Sequence, residues 1–61
     1  MENVLYFTTH IEPFTTEAGI LFQPVVHDLG YIVPIGWESE LNRLGVEFKT
    51  IELPEQPGPH L

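Results

Sequence analysis

Cysteine is absent from all 61 residues, and lysine and arginine together number only two. Without cysteine there can be no disulfide and no thiolate zinc site. That matters for so short a chain, which buries only about 60% of the surface its unfolded form exposes. Small scaffolds are usually reinforced by disulfides, a metal or a partner subunit, and here only the last two remain. The scarcity of basic residues, set against nine carboxylates, gives a formal charge of −7. A nucleic-acid backbone is bound mainly through Lys and Arg, and an anionic membrane surface is too, so neither is an expected partner. The acidic balance suits solubility first and a basic protein partner second.

Long apolar runs are missing as well. No stretch approaches the roughly 18 residues of a membrane span, and no basic segment followed by an apolar one opens the chain, so a cytoplasmic protein is expected. Serine occurs once, at Ser39, in an acidic turn without the Gly-x-Ser-x-Gly setting of a nucleophile elbow. The glycines are scattered and form no phosphate-cradling loop. No cofactor is expected, and a chain with so little interior has scant room for a pocket unless subunits build one between them. Enzymatic activity is therefore not expected of the isolated chain.

The clearest positive signal is the stretch from Gly36 to Leu53. Trp37, Leu41 and Leu44 fall at i, i+4 and i+7 and would share one face of a helix of about two turns. Glu38 and Glu40 lie near its start and Arg43 in its last turn, as the macrodipole favours. Gly36 is placed to cap the start and Gly45 to end the helix in a left-handed conformation. A strand over Val46 to Leu53 follows. Its alternation breaks between Lys49 and Thr50, which implies either a bulge or a segment buried on both faces.

Upstream, Asn3 to Ile11 reads as a strand, with Leu5, Phe7 and Ile11 on one face and Val4, Tyr6 and His10 on the other. Glu12-Pro13 ends it. A polar connection leads to a second strand over Ile20 to His27, where Pro24 implies an edge or a bulge. Asp28-Leu29-Gly30 is a turn signal, and Tyr31 to Ile35 completes a hairpin. The similarity between VLYFTTHIEP and VEFKTIELPE is explained by strand composition running into a strand breaker, without an internal duplication.

These readings predict an α+β fold: a small, mostly antiparallel sheet of three to four strands with one short helix packed on one face, in the order β-β-β-α-β. Residues 1–53 form a single domain, and residues 54–61 a flexible tail rich in proline and glycine.

Three functional classes follow. Both faces of the first strand are apolar, yet one helix can cover only one side of a sheet. The leading expectation is therefore a non-catalytic interaction or structural protein acting as a homo-oligomer, with Val4, Tyr6, Phe14, Trp37 and Ile51 as interface candidates. Phe14 and Trp37 enter that set because one sits in a polar loop and the other at a helix start. A second class is an oligomeric metal or enzymatic site around His10, Glu12 and His27, since two imidazoles and a carboxylate can hold a divalent ion. The plainer reading of these histidines is that they are exposed strand-end residues. The third class is an acidic decoy that imitates nucleic-acid phosphates in a basic groove of another protein. The carboxylates from Glu12 to Glu55 are spread rather than clustered, which solubility alone also explains.

Overall fold

The computed structural model describes residues 2–54. Beyond Pro54, the expected tail lies outside the described residues. The fold is α+β, as predicted. A four-stranded antiparallel sheet is built from β1 (Glu2–Phe7), β4 (Val25–His27), β5 (Gly30–Pro34) and β6 (Lys49–Leu53), in the spatial order β4-β5-β1-β6. A second sheet pairs two short strands, β2 (Phe14–Thr15) and β3 (Leu21–Phe22). One helix, α1 (Glu38–Arg43), connects β5 to β6.

β1 is central, pairing with β5 on one side and β6 on the other. Directly opposed residues of an antiparallel pair project to the same face. Leu5 opposite Val33 and Phe7 opposite Tyr31 therefore define one face. It carries the core, where Leu5, Phe7, Val33, Phe22, Leu41 and Val46 are buried and Ile11, Phe14, Tyr31, Trp37 and Phe48 pack around them. The helix and the small sheet lie on this side.

The helix ends as its sequence implies. Gly45 has φ +73°. The amide of Gly45 donates to the carbonyl of Asn42 at 3.1 Å, and that of Val46 to Leu41 at 3.0 Å. This is a Schellman closure, and it brings Leu41 and Val46 together in the core. The helix begins differently from expectation. A 3₁₀ turn over Ile35–Trp37 leads in, and Trp37, not Gly36, holds the cap position without a side-chain cap. Of the predicted helical face, Leu41 is buried and Trp37 half-buried, but Leu44 is 39% exposed because the chain turns away at the C-cap.

Three further boundaries depart from the sequence reading. The first strand stops at Phe7 rather than Ile11. The strand expected over Ile20 to His27 is two strands, since the chain leaves one sheet at Gln23-Pro24 and enters the other at Val25. Proline contributes no ladder donor, so here it separates two sheets instead of bulging one strand. The phase change near Lys49-Thr50 is no bulge: β6 pairs with β1 in continuous register from Lys49 to Leu53. Val46 and Phe48 precede the strand and turn into the core, while Ile51, opposite Val4, lies on the other face.

The hairpin β4–β5 closes through Asp28 and Leu29, with His27 opposite Gly30. Asp28 takes φ +55°, a left-handed conformation that aspartate tolerates better than most residues. Gly30 is buried beneath β1. A Cβ there would lie 2.5 Å from the Phe7 carbonyl oxygen and 2.8 Å from the Tyr6 ring. Gly36, by contrast, has open space around it and no positive φ. Gly30→Ala is expected to destabilise the protein by about 1–3 kcal/mol through overpacking against backbone. Gly36→Ala is expected to be neutral or to stabilise by up to about 1 kcal/mol through the unfolded state. Urea denaturation of the two variants checks both.

Candidate functional site

The face of the four-stranded sheet opposite the core is the candidate site. Register assigns its members. On β1 they are Val4 and Tyr6; on β5, Ile32 and Pro34; on β6, Ile51 and Leu53; and on β4, Val25 and His27. None of them belongs to the core cluster or to the partly buried residues packed on it. Val4 forms the floor at 4% exposure, Tyr6, Ile32, Ile51 and Leu53 are half-buried, and Val25 is 58% exposed. No helix or strand among the described residues lies over this face.

Two polar ends frame it. Lys49, opposite Tyr6, sets its Nζ 5.7 Å from the centre of the Tyr6 ring. At the other end of the strand pair, Glu2 lies opposite Leu53. Because Gly30 has no side chain, Tyr6 lies over it and meets the His27 ring edge-on at 6.3 Å. A recess of about 200 Å³ opens there, lined by Tyr6, His27, Asp28, Lys49 and Ile51.

The sequence placed Val4, Tyr6 and Ile51 in the interface set, and the structure brings all three onto this face. Phe14 and Trp37 lie on the core side instead. The Phe14 ring stacks on Phe22 at 5.1 Å and the Trp37 ring meets Phe22 edge-on at 4.9 Å, and both are half-buried. Sequence reasoning missed Ile32, Leu53 and Val25 as members of the face. The signal was present for Ile32, whose parity is opposite to that of the core residue Val33.

The proposed metal ligands do not converge. His10 and Glu12 meet, with Nε2 3.2 Å from a Glu12 carboxylate oxygen, and His10 Nδ1 is 2.9 Å from the Tyr31 hydroxyl. A carboxylate only accepts, so Nε2–H donates to Glu12 and, in the neutral ring, Nδ1 accepts from Tyr31. Tyr31 faces the core side and stacks on Phe7 at 5.7 Å, so His10 is drawn to that side. His27 shares the other face with Tyr6, and the thickness of the sheet separates the two imidazoles. Among the described residues no group of three His, Cys, Asp or Glu side chains could hold a metal ion.

A second hollow, of about 570 Å³, lies between the small sheet and α1, lined by Phe14, Glu17, Glu40 and Arg43 among others. Arg43 Nε donates to Glu40 at 3.0 Å. That hydrogen bond and the adjoining charge hold the exposed guanidinium protonated even beyond its usual range, with Glu17 adding a smaller attraction. Arg43 is thus paired with Glu40 across one turn of the helix. Ser39 is exposed on the helix.

No family model, curated protein or solved structure matches this chain. No helix among the described residues is long and apolar enough to cross a membrane.

Zinc titrated into the protein is expected to give no stoichiometric micromolar complex, because His10 and Glu12 supply at most two ligands where a stable site needs three or four. His27→Ala should leave any weak uptake unchanged. Calorimetry with both histidine variants measures this, and a one-to-one site lost in His27→Ala would contradict the separation of the two rings.

Proposed function

We propose that this chain is a small, acidic, non-catalytic interaction protein that works as a homo-oligomer, with the outer face of its four-stranded sheet as the contact surface. The observation that carries the reading is the apolar character of that face: Val4 forms its buried floor and Tyr6, Ile32, Ile51 and Leu53 are half-buried around it, all outside the cluster that packs under the helix and the small sheet. A monomer seldom presents a contiguous apolar sheet face to water, and such a patch marks an interaction site. Composition points the same way, since a cysteine-free chain of 61 residues needs reinforcement that a partner subunit supplies.

The charge distribution favours a copy of the same chain as partner. Within the four strands the outer face carries one carboxylate, Glu2, and one ammonium, Lys49. The charges that would make two chains of formal charge −7 repel each other lie mostly elsewhere. A neutral apolar face lets like-charged chains associate with the least electrostatic opposition.

Sedimentation across a range of concentrations is expected to show a mass above that of the monomer. Ile51→Asp, which sets a carboxylate beside Val4, should return the protein to a monomer while circular dichroism retains the sheet signature. Leu29→Ser, at a hairpin tip that is 88% exposed, should leave the mass unchanged. A wild-type protein that stays monomeric at high micromolar concentration would refute the reading.

A further inference from the structure

We infer that two copies pack face to face about a two-fold axis that runs through the Val4–Ile51 row, pairing Glu2 of each copy with Lys49 of the other. The inference rests on the proposed self-association and specifies its geometry.

Register provides the argument. Along β1 and β6 the opposed pairs on the outer face are Glu2–Leu53, Val4–Ile51 and Tyr6–Lys49. The middle pair is wholly apolar, and opposite charges stand at the two ends. An isologous contact demands a surface that is complementary to itself after a half-turn. A two-fold axis lying in the contact plane, across the strands at Val4–Ile51, reverses strand direction and keeps lateral order. It lays the Glu2–Leu53 end of one copy over the Tyr6–Lys49 end of the other, twice by symmetry. Leu53 then meets the alkyl stem of Lys49 and the recess beside Tyr6, while the ammonium reaches the carboxylate one strand away. A two-fold axis along the strands instead brings the two Lys49 ends together and the two Glu2 ends together, like charge beside like charge.

The edges of the sheet are poorer contacts. β4 is three residues long and follows Pro24, and β6 carries exposed Lys49 and Glu52 and runs into Pro54. Short edge strands, charges and prolines are devices that discourage strand addition. Stacked sheets lie about 10 Å apart, a separation that the long Lys49 and Glu2 side chains can bridge between them. At roughly 15–20 Å on a side the face is small, so the dimer is expected at the weak, micromolar end of interfaces.

Two further groups rim the Lys49 end, His27 and Asp28. Asp28 sits on the side meant to receive Glu2 and opposes it. Asp28→Asn, which keeps a side chain tolerant of positive φ, should therefore tighten the dimer.

The test is complementation in trans by sedimentation equilibrium, and by native mass spectrometry with one chain isotopically labelled. Glu2→Lys alone and Lys49→Glu alone each turn two attractive contacts repulsive and should weaken the dimer about tenfold, less so in high salt. Mixed together, the two variants should form a heterodimer within about threefold of wild-type affinity, because every cross-pair is again opposite in charge. Both positions are exposed, and recovery in the mixture shows that neither variant has failed to fold. If wild type dimerises but the mixture gains nothing over the single variants, the two-fold arrangement is wrong and self-association stands. If wild type is monomeric throughout, both fail.

Discussion

Phe22 is the point at which the two sheets, the entry to the helix and the central strand are held together. Its ring is fully buried and touches Phe7 of β1 at 6.4 Å, Phe14 of β2 at 5.1 Å and Trp37 ahead of α1 at 4.9 Å. Two strands of two residues cannot be stable by themselves. The small sheet persists because its Phe14–Phe22 pair is plugged into the core, with Gly19 at φ +80° in the five-residue connection, 16–20, behind it. A helix of six residues is equally unable to stand alone. Leu41 and the Schellman closure to Val46 fasten it to the same cluster. One aromatic contact set thus substitutes for the length that these elements lack.

Where sequence reading succeeded, the controlling chemistry was local. Gly45 ends the helix because only a left-handed residue permits that closure, and Asp28-Leu29 turns because Asp28 tolerates the φ of +55° that the tight hairpin imposes. Where it failed, a distant contact overrode a local pattern. Thr-Glu-Ala-Gly between Phe14 and Leu21 read as a polar connection, yet it carries the signature of a three-residue hairpin ending in glycine. On one side Phe14–Thr15 is too short to register as a strand, and on the other Leu21–Phe22 reads as part of a longer strand over Ile20 to His27. Pro24 was recognised as an obstacle to a ladder, but nothing nearby in sequence reveals a second sheet to which the chain can cross. The broken alternation near Lys49 has a simple origin, in that the apolar residues serve the core up to Phe48 and the outer face from Ile51 onward, while the backbone alternates without a break from Lys49.

The candidate site divides along the same line. Val4, Tyr6 and Ile51 were legible because alternation holds wherever the backbone is a strand. His10 was misplaced because alternation was carried past Phe7, where the strand has already ended and the ring is free to reach Tyr31 on the other side. Phe14, in a polar loop, and Trp37, at a helix start, read as interface anchors from their place in the chain alone. Polarity of neighbours says little about a large ring, which contributes so much apolar area that a half-buried position against another ring is favourable.

The core and the outer face are not independent, because β1 serves both. Leu5 and Phe7 are buried beneath the helix and the small sheet, and Val4 and Tyr6 alternate with them on the same six residues. Any opening of β1 that exposes the outer side chains also disturbs the core ones. A chain of this size has little surplus stability, on the order of 0.05–0.15 kcal/mol per residue. If a second copy binds the folded form alone, folding and association become linked, and the folded fraction rises with protein concentration by mass action. The double apolar face of β1 would then serve stability as much as recognition. The six-residue helix lies on the core side of that strand, and a second copy would add cover over Tyr6, which is half-buried on the other.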